Sequence, residues 1–270
     1  MNRKQAFVSL TTDFGSQGQG GGLMEGIILS ISFIAKVIHL THELPPFNLI
    51  AAARTLEQVD FLPVGAHVCI CDPGAGFDRK LLILETHRGD WLLGPDNGSL
   101  IPAAKSLGGI IKATIIENNK YIRQPSSRIY QGRDIFAPVA AYLSNGVSPN
   151  EFGSNIDIND LVKTVYDEAK IIDNLIYATV IQISRFGSVY LNIKHKLWKQ
   201  LELDRKENIK IKLSRAESLC LLIGQTFSDV AEGEPLVLID HYGRIEMAIN
   251  MGSFAETFNM KIGDSVVFCL

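Results

Sequence analysis

Residues 6–146 alternate between segments with strand spacing and segments with helix spacing, and this alternation restricts the fold more than any other feature of the chain. AFVSLTT (6–12) is β-rich and ends at Asp13, GLMEGIILSISF (22–33) has helical spacing, and KVIHLTHEL (36–44) returns to strand. Pro45-Pro46 breaks the chain, and NLIAAARTLEQVDFL (48–62) predicts a helix with Asn48 as its N-cap. AHVCIC (66–71) is a continuous apolar run, as expected for a strand covered on both faces. KLLILET and DWLLG, joined across HRG, read as a hairpin, and GIIKATIIE (109–117) as a further strand. DIFAPVAAYLSNG (134–146) reads as a helix that stops at Asn145-Gly146. The expected fold is an α/β N-terminal domain with a mainly parallel sheet covered by helices.

After about residue 160 the pattern changes to short strands joined by turns: YATVIQISRFGSVYLNI, NIKIKL, EPLVLIDHYGRIEMAIN and DSVVFC. GSFAETFN (252–259) is the one segment there read as helical. Two domains are expected, an N-terminal α/β domain over 1–160 and a smaller, mostly β C-terminal domain over 161–270. With 46% hydrophobic and 20% charged residues, the chain can build real cores. A formal charge of −3, with both signs interspersed, lacks the clustered basic face of a nucleic-acid binder. MNRKQAFVSLTTDFG has no signal-peptide core and no apolar run reaches membrane-spanning length, so a cytoplasmic protein with no membrane partner is expected. Cys69, Cys71, Cys220 and Cys269 include no CxxC pair and no zinc spacing with histidine, and read as buried free thiols. His39 and His42 lie three apart on a strand, hence on opposite faces, which argues against a shared metal.

TTDFGSQGQGGGLMEG (11–26) carries Gly15, Gly18, Gly20, Gly21 and Gly22. Such a loop usually lets a backbone approach a ligand. It is not a Walker A loop, because Met24-Glu25-Gly26 stands where lysine and a hydroxyl are required. Nor is it the dinucleotide fingerprint, because Leu23 occupies the position of the third glycine. Asp13 ends the first strand, where open α/β sheets bind ligands. Its carboxylate can accept two hydrogen bonds from a ribose diol or can cap the following turn, and position alone leaves both roles open.

Three more loops sit at strand ends. CDPGAGFDRK (71–80) places Asp72 and Arg79 seven residues apart with Gly74 and Gly76 between, so the two can meet as a charge-assisted pair, functional or structural. GPDNGSL (94–100), with Asp96 and Asn97, is a common turn when taken alone. In SSRIYQGRDIFAP (126–138), Tyr130 and Gln131 precede a helix start, and Asp134 reads as an N-cap before a catalyst. Phe186 and Tyr242 each stand in an aromatic-Gly pair and read as turn-packing aromatics before ligand stackers.

Taken together, TTDFG, LTHELPP, DPGAGxxR, GPDNG, GRDIFAP and RIEMAINMGS occur in the order and approximate spacing of the S-adenosylmethionine hydroxide adenosyltransferases. The chain resembles these adenosine-forming hydrolases, relatives of the fluorinase and chlorinase enzymes, over nearly its whole length. The resemblance implies an α/β N-terminal domain, a β-barrel-like C-terminal domain, and a homotrimer. The active site would then lie between one subunit's N-terminal domain and a neighbour's C-terminal domain. The implied reaction is attack of water or hydroxide on ribose C5′ of S-adenosylmethionine, expelling neutral methionine, with no metal and no cofactor. By the same resemblance Asp72 and Arg79 hold the water, Asp13 binds the ribose and Phe47 covers the nucleoside. Asp96, Asn97, Tyr130, Phe186, Ser188 and Asn250 fall among the substrate contacts.

Several positions depart from the family pattern. Gln131 stands where the family places a histidine, and glutamine can orient water but cannot take a proton at neutral pH. Gly18, Gly20 and Gly21 replace side chains of the family's opening loop, Ser188 replaces an Asn, and Asp240-His241-Tyr242-Gly243 replaces Asn-Ser-aromatic-Gly. The expected function is hydrolysis of S-adenosyl-L-methionine to adenosine and L-methionine, with Gln131 assisting Asp72 and Arg79. Two alternatives are a related enzyme acting on another 5′-substituted adenosine and a non-catalytic trimer that binds adenosine or S-adenosylmethionine. The Asp72/Arg79 arrangement of the water-using branch argues against halide as nucleophile.

Overall fold

The computed structural model of the chain describes residues 7–74, 79–127, 129–213 and 218–270. Residues 1–6, Gly76 of the Asp72–Arg79 loop and Arg128 of the SSRIYQGRD run lie outside them. The chain divides into two units, Met1–Val165 and Tyr166–Leu270.

In the first unit the elements run β1 (Phe7–Thr12), α1 (Gly20–Ile31), β2 (Lys36–Thr41), α2 (Leu49–Leu56), β3 (Ala66–Ile70), β4 (Leu81–Thr86), β5 (Trp91–Pro95), α3 (Ile101–Ser106), β6 (Ile110–Ile115), α4 (Ala137–Ser144) and β7 (Asn155–Ile156). They form a seven-stranded sheet of order β2-β1-β3-β5-β4-β6-β7. The β2-β1-β3-β5 half is parallel, as expected. β4 and β5 form the expected hairpin, β4 runs antiparallel to β6, and β7 runs antiparallel to β6.

Alternation along the strands sends side chains to two cores. Val8, Leu10, Val68 and Ile83 pack with Met24 and Ile28 of α1 and Ala140 of α4. Cys69, Leu82 and Leu84 pack on the other face with Leu56 of α2 and Ala103 of α3. Every residue of β3 is buried, which explains why its sequence is apolar apart from His67. The Asn48 side chain caps α2 by accepting from the Ala51 N–H at 3.0 Å.

The helix expected over 134–146 starts differently. Gly132–Phe136 forms a single π-turn, and α4 follows from Ala137. Asp134 is not an N-cap. Its buried carboxylate accepts from the Arg133 guanidinium at 2.7 and 2.8 Å and from the Ser127 N–H at 2.9 Å, tying the preceding loop to the helix.

In the second unit the elements are β8 (Lys170–Ile172), β9 (Leu175–Ile183), β10 (Val189–Lys194), α5 (His195–Gln200), β11 (Asn208–Leu213), β12 (Leu219–Ile223), β13 (Pro235–Ile239), β14 (Arg244–Ile249), α6 (Phe254–Thr257) and β15 (Ser265–Cys269). The strand order β10-β14-β13-β12-β11-β15-β9, with β9 pairing back to β10, closes a seven-stranded barrel. The 252–259 segment contains α6, but it is not the only helix, because α5 also forms. Six residues are too few to show a helical period, and what fixes α5 is Trp198, fully buried in the barrel core edge-on to Phe268 at 5.6 Å. Cys69 and Cys71 are buried free thiols as expected, whereas Cys220 is exposed and Cys269 half-buried. Among the described residues no helix is long and apolar enough to cross a membrane.

Toward the N-terminal ends of the parallel strands lies a buried polar chain. Ser9 Oγ meets His67 Nδ1 at 2.8 Å, and His67 Nε2 meets Asp90 Oδ1 at 3.1 Å. Arg88 binds the Asp90 carboxylate at 2.7 and 2.9 Å. Ser9, His67 and Asp90 have no solvent-exposed surface, so this Ser-His-Asp set is structural. Burial holds His67 below the usual imidazole value against the opposing pull of Asp90. Burial alone would raise Asp90, but the bonds from His67 and Arg88 carry it well below the usual carboxylate range. The unfolded chain therefore takes up protons at both sites before the folded one does, and stability falls with pH, first through the ordinary histidine range. Urea denaturation is expected to show this decline between about pH 7 and 5. His67→Ala should lower stability by about 3 kcal/mol and flatten that decline.

Candidate active site

β1 and β3 are neighbours in the sheet, but the connections leaving them run to opposite sides: β1 leads through α1 to β2, and β3 leads through the 71–80 loop to β4. This is a topological switch point, where a crevice opens beyond the carboxyl ends of the strands. The β1–β3 register pairs Thr12 with Ile70, so Asp13 and Asp72 leave the sheet beside each other. A cleft of about 250 Å³ opens there, and its lining includes Asp13, Phe47, Asp72 and Gln131. Four of the residues singled out in the sequence, spread over 119 positions, thus meet in one crevice.

Asp72 is held asymmetrically. Its Oδ1 accepts from Arg79 Nη1 at 2.5 Å and from the Gly74 N–H at 3.1 Å. Its Oδ2 is buried and has no hydrogen-bond partner among the described residues. The Arg79 guanidinium occupies the space a Cβ at Gly74 would take, so a larger residue there would move the guanidinium. Burial raises the Asp72 pKa most strongly; the Gly74 N–H and Arg79 oppose this, the Asp13 charge adds to it, and the net direction is upward.

Asp13 Oδ2 accepts from the Phe47 N–H at 3.1 Å. Phe47 takes a left-handed backbone at φ 62°, where a non-glycine residue is strained, and its ring is exposed beside the cleft. That leaves an aromatic face free to stack on a planar ligand. Gln131 sits immediately before the π-turn, a local widening of the helix that recurs at functional sites. Tyr130 lies in a second cleft of about 550 Å³, lined also by Phe14, Gln19, Leu23 and Arg133, with the Arg133 guanidinium 4.9 Å above its ring.

Other singled-out residues do not line the first cleft. Asp96 accepts from the Val162 N–H at 3.0 Å. Asn97 donates to the Cys71 carbonyl at 2.9 Å and accepts from Ser99, which pins the strand end carrying Asp72. In the second unit, Phe186 is 82% exposed and not packed into its turn. Ser188 is buried there, and Asn250 donates to the Val230 carbonyl at 2.9 Å.

Two glycines of the run allow close packing, and Gly20 also lines the second cleft. A Cβ at Gly20 would collide with the Phe14 ring, and one at Gly21 with the His42 ring. His39 and His42 do not face opposite sides: Nδ1 of His39 and Nε2 of His42 are 2.6 Å apart. The β1–β2 register slips between Leu10 and Thr11, which pair with His39 and Thr41, and this breaks the two-residue alternation. Among the described residues no group of three His, Cys, Asp or Glu side chains is placed to hold a metal ion. Sequence inspection missed the histidine pair. It also missed Cys71 as a neighbour of Asp13; burial and then the Asp13 charge push that thiol up, so it stays a neutral S–H.

Two family models match the chain: the SAM hydroxide adenosyltransferase N-terminal domain over residues 8–153 and the corresponding C-terminal domain over 178–267. A curated relative named (R)-S-adenosyl-L-methionine hydrolase from Salinispora tropica is 32% identical over 264 residues, covering 96% of this chain and 95% of its own. One of the same name from Methanocaldococcus jannaschii is 30% identical, with 96% and 94% covered. The crystal structure of an uncharacterized conserved protein from Thermotoga maritima superposes with a TM-score of 0.90 at 27% identity, covering 97% of this chain and all of that one.

The packing at Gly74 gives a direct test of the Asp72–Arg79 geometry. Gly74→Ala is expected to displace the guanidinium and to lower stability by about 1–3 kcal/mol, measured as a shift in thermal midpoint.

Proposed function

This chain belongs to the SAM hydroxide adenosyltransferase family, and from that premise we propose that it hydrolyses S-adenosyl-L-methionine to adenosine and L-methionine. The observation that carries the proposal is Asp72, which lines a cleft with Asp13 and Gln131 and whose buried Oδ2 has no hydrogen-bond partner among the described residues. A buried carboxylate oxygen without a donor is a seat for a water molecule.

In this scheme Asp72 Oδ2 accepts a hydrogen bond from the attacking water, and Arg79 fixes the carboxylate so that its free lone pair keeps its aim. Gln131 orients the same water through its side-chain amide but takes no proton. The water oxygen bonds to ribose C5′, the C5′–S bond breaks with its electron pair moving to sulfur, and the sulfonium becomes neutral methionine. The water proton passes to Asp72 and then to solvent, so adenosine, methionine and one proton balance the reaction. The thioether leaves uncharged and needs no acid. Asp13 binds the ribose hydroxyls and Phe47 stacks over the nucleoside.

The proposal includes a cytoplasmic enzyme with no cofactor beyond its substrate, assembled as a homotrimer. Phe186, Ser188 and Asn250 of a neighbouring copy, with Tyr130, Asp96 and Asn97, complete the substrate contacts. The exposed ring of Phe186 supports its part in this assembly. The relatives' name specifies the R configuration at sulfur, and the same epimer is the proposed substrate here. The sulfonium is pyramidal, so the two epimers direct the methyl group and the amino-acid chain to different walls of the site.

Incubation with each epimer, followed by chromatography of adenosine and methionine, tests the proposal. Equimolar products are expected from the wild type, with the R epimer preferred. Asp72→Ala is expected to lose activity by about 10³-fold or more, and Gln131→His to gain on the order of 10²-fold. Product formation by Asp72→Ala at the wild-type rate would refute the scheme. Because Asp72 must be ionised, kcat should fall as pH drops through a value above that of an ordinary aspartate.

A further inference from the structure

Four side chains outside the cleft form a continuous chain that ends beside Asp13. Glu25 Oε2 on α1 is 3.1 Å from His39 Nε2. His39 Nδ1 is 2.6 Å from His42 Nε2, and His42 Nδ1 is 2.8 Å from Thr12 Oγ1. Thr12 Oγ1 in turn accepts from the Phe14 N–H at 3.3 Å. With both imidazoles neutral, one proton arrangement satisfies every link, assigned from the network. Thr12 O–H donates to His42 Nδ1, His42 Nε2–H donates to His39 Nδ1, and His39 Nε2–H donates to the Glu25 carboxylate. The reverse order would set a bare imidazole nitrogen against that carboxylate, so Glu25 fixes the direction. Burial, the largest cause, holds His42 below the usual imidazole value, and the neighbouring His39 adds to this against the pull of Glu43, so one nitrogen of the ring stays an acceptor.

The chain grips both sides of Asp13. Thr12 precedes it and Phe14 follows it, and both share the Thr12 hydroxyl. The His42 carbonyl accepts from the Gly15 N–H at 2.8 Å, and the Thr12 carbonyl accepts from the Leu44 N–H at 3.3 Å. Gly21 lets α1 close against the His42 ring, so the glycine run and the relay are parts of one arrangement. We propose that the Glu25–His39–His42–Thr12 relay is a positioning device for Asp13, and that it sets the affinity of the site for the ribose diol. None of its members touches the substrate. The inference rests on the ribose role proposed for Asp13.

The test measures binding of adenosine and of 2′,3′-dideoxyadenosine by calorimetry, alongside steady-state kinetics, for the wild type, His39→Leu, His39→Asn and Glu25→Leu. His39→Leu should weaken adenosine about tenfold but dideoxyadenosine by less than about twofold, because the second ligand has no diol to present to Asp13. KM should rise in step while kcat stays within about twofold. His39→Asn places an amide oxygen near the position of Nδ1 and should restore most of the loss. Glu25→Leu, on a half-exposed helix position, should change affinity in the same direction as His39→Leu and serves if that variant fails to fold. Equal weakening of both ligands, no weakening of adenosine, or a fall in kcat matching the rise in KM would overturn the inference. Wild-type protein that binds adenosine without hydrolysing S-adenosylmethionine would contradict the proposed reaction and leave the relay standing.

Discussion

A carboxylate satisfied on one side only sets the terms for this site. Asp72 gives one oxygen to Arg79 and the Gly74 N–H and keeps the other buried, with no partner among the described residues. An unpaired buried acceptor costs free energy, on the order of 1–3 kcal/mol. The fold tolerates it because Arg79 offsets the charge, Gly74 leaves room for the guanidinium, and Asn97 secures the Cys71 carbonyl one residue before the acid. In the proposed reaction a water molecule at Oδ2 relieves the cost and is thereby held for attack.

Chain topology brings the second acid to the same place. Asp13 and Asp72 are 59 residues apart, yet the Thr12–Ile70 register delivers them together at the point where the connections leaving β1 and β3 part. Asp13 adds negative charge next to Asp72 and raises its proton affinity further. Two acids in a small cleft repel phosphates and attract a sulfonium cation, which agrees with the exclusion of phosphate-cradling loops made from the sequence. In the glycine-rich segment Gly20 and Gly21 make room for Phe14 and His42, and Gly20 also lines the second cleft.

The regular elements were legible because their signals are local. The apolar run of β3, the β4–β5 hairpin and the Asn48 cap each follow from a few adjacent residues. Asp13, Asp72 and Gln131 could be proposed because each follows or precedes such an element. The rest depends on contacts between distant segments. The six-residue α5 is held by Trp198 in the barrel and shows no period of its own. The π-turn at Gly132–Phe136 depends on Asp134 binding Arg133 and Ser127 in place of a helix terminus. The histidine pair meets only because the β1–β2 register slips, and a slip of that kind has no sequence signature. Asn97 looked like an ordinary turn residue, and its bond to Cys71 appears only once β3 and β5 lie side by side.

The central claim is that a water held by Asp72 attacks ribose C5′. Turnover of S-adenosylmethionine in ¹⁸O-enriched water, read by mass spectrometry of both products, tests it most directly. The account predicts one ¹⁸O atom in the 5′-hydroxyl of adenosine and none in methionine. Unlabelled adenosine, or label in the amino-acid product, would place the bond cleavage elsewhere and contradict it.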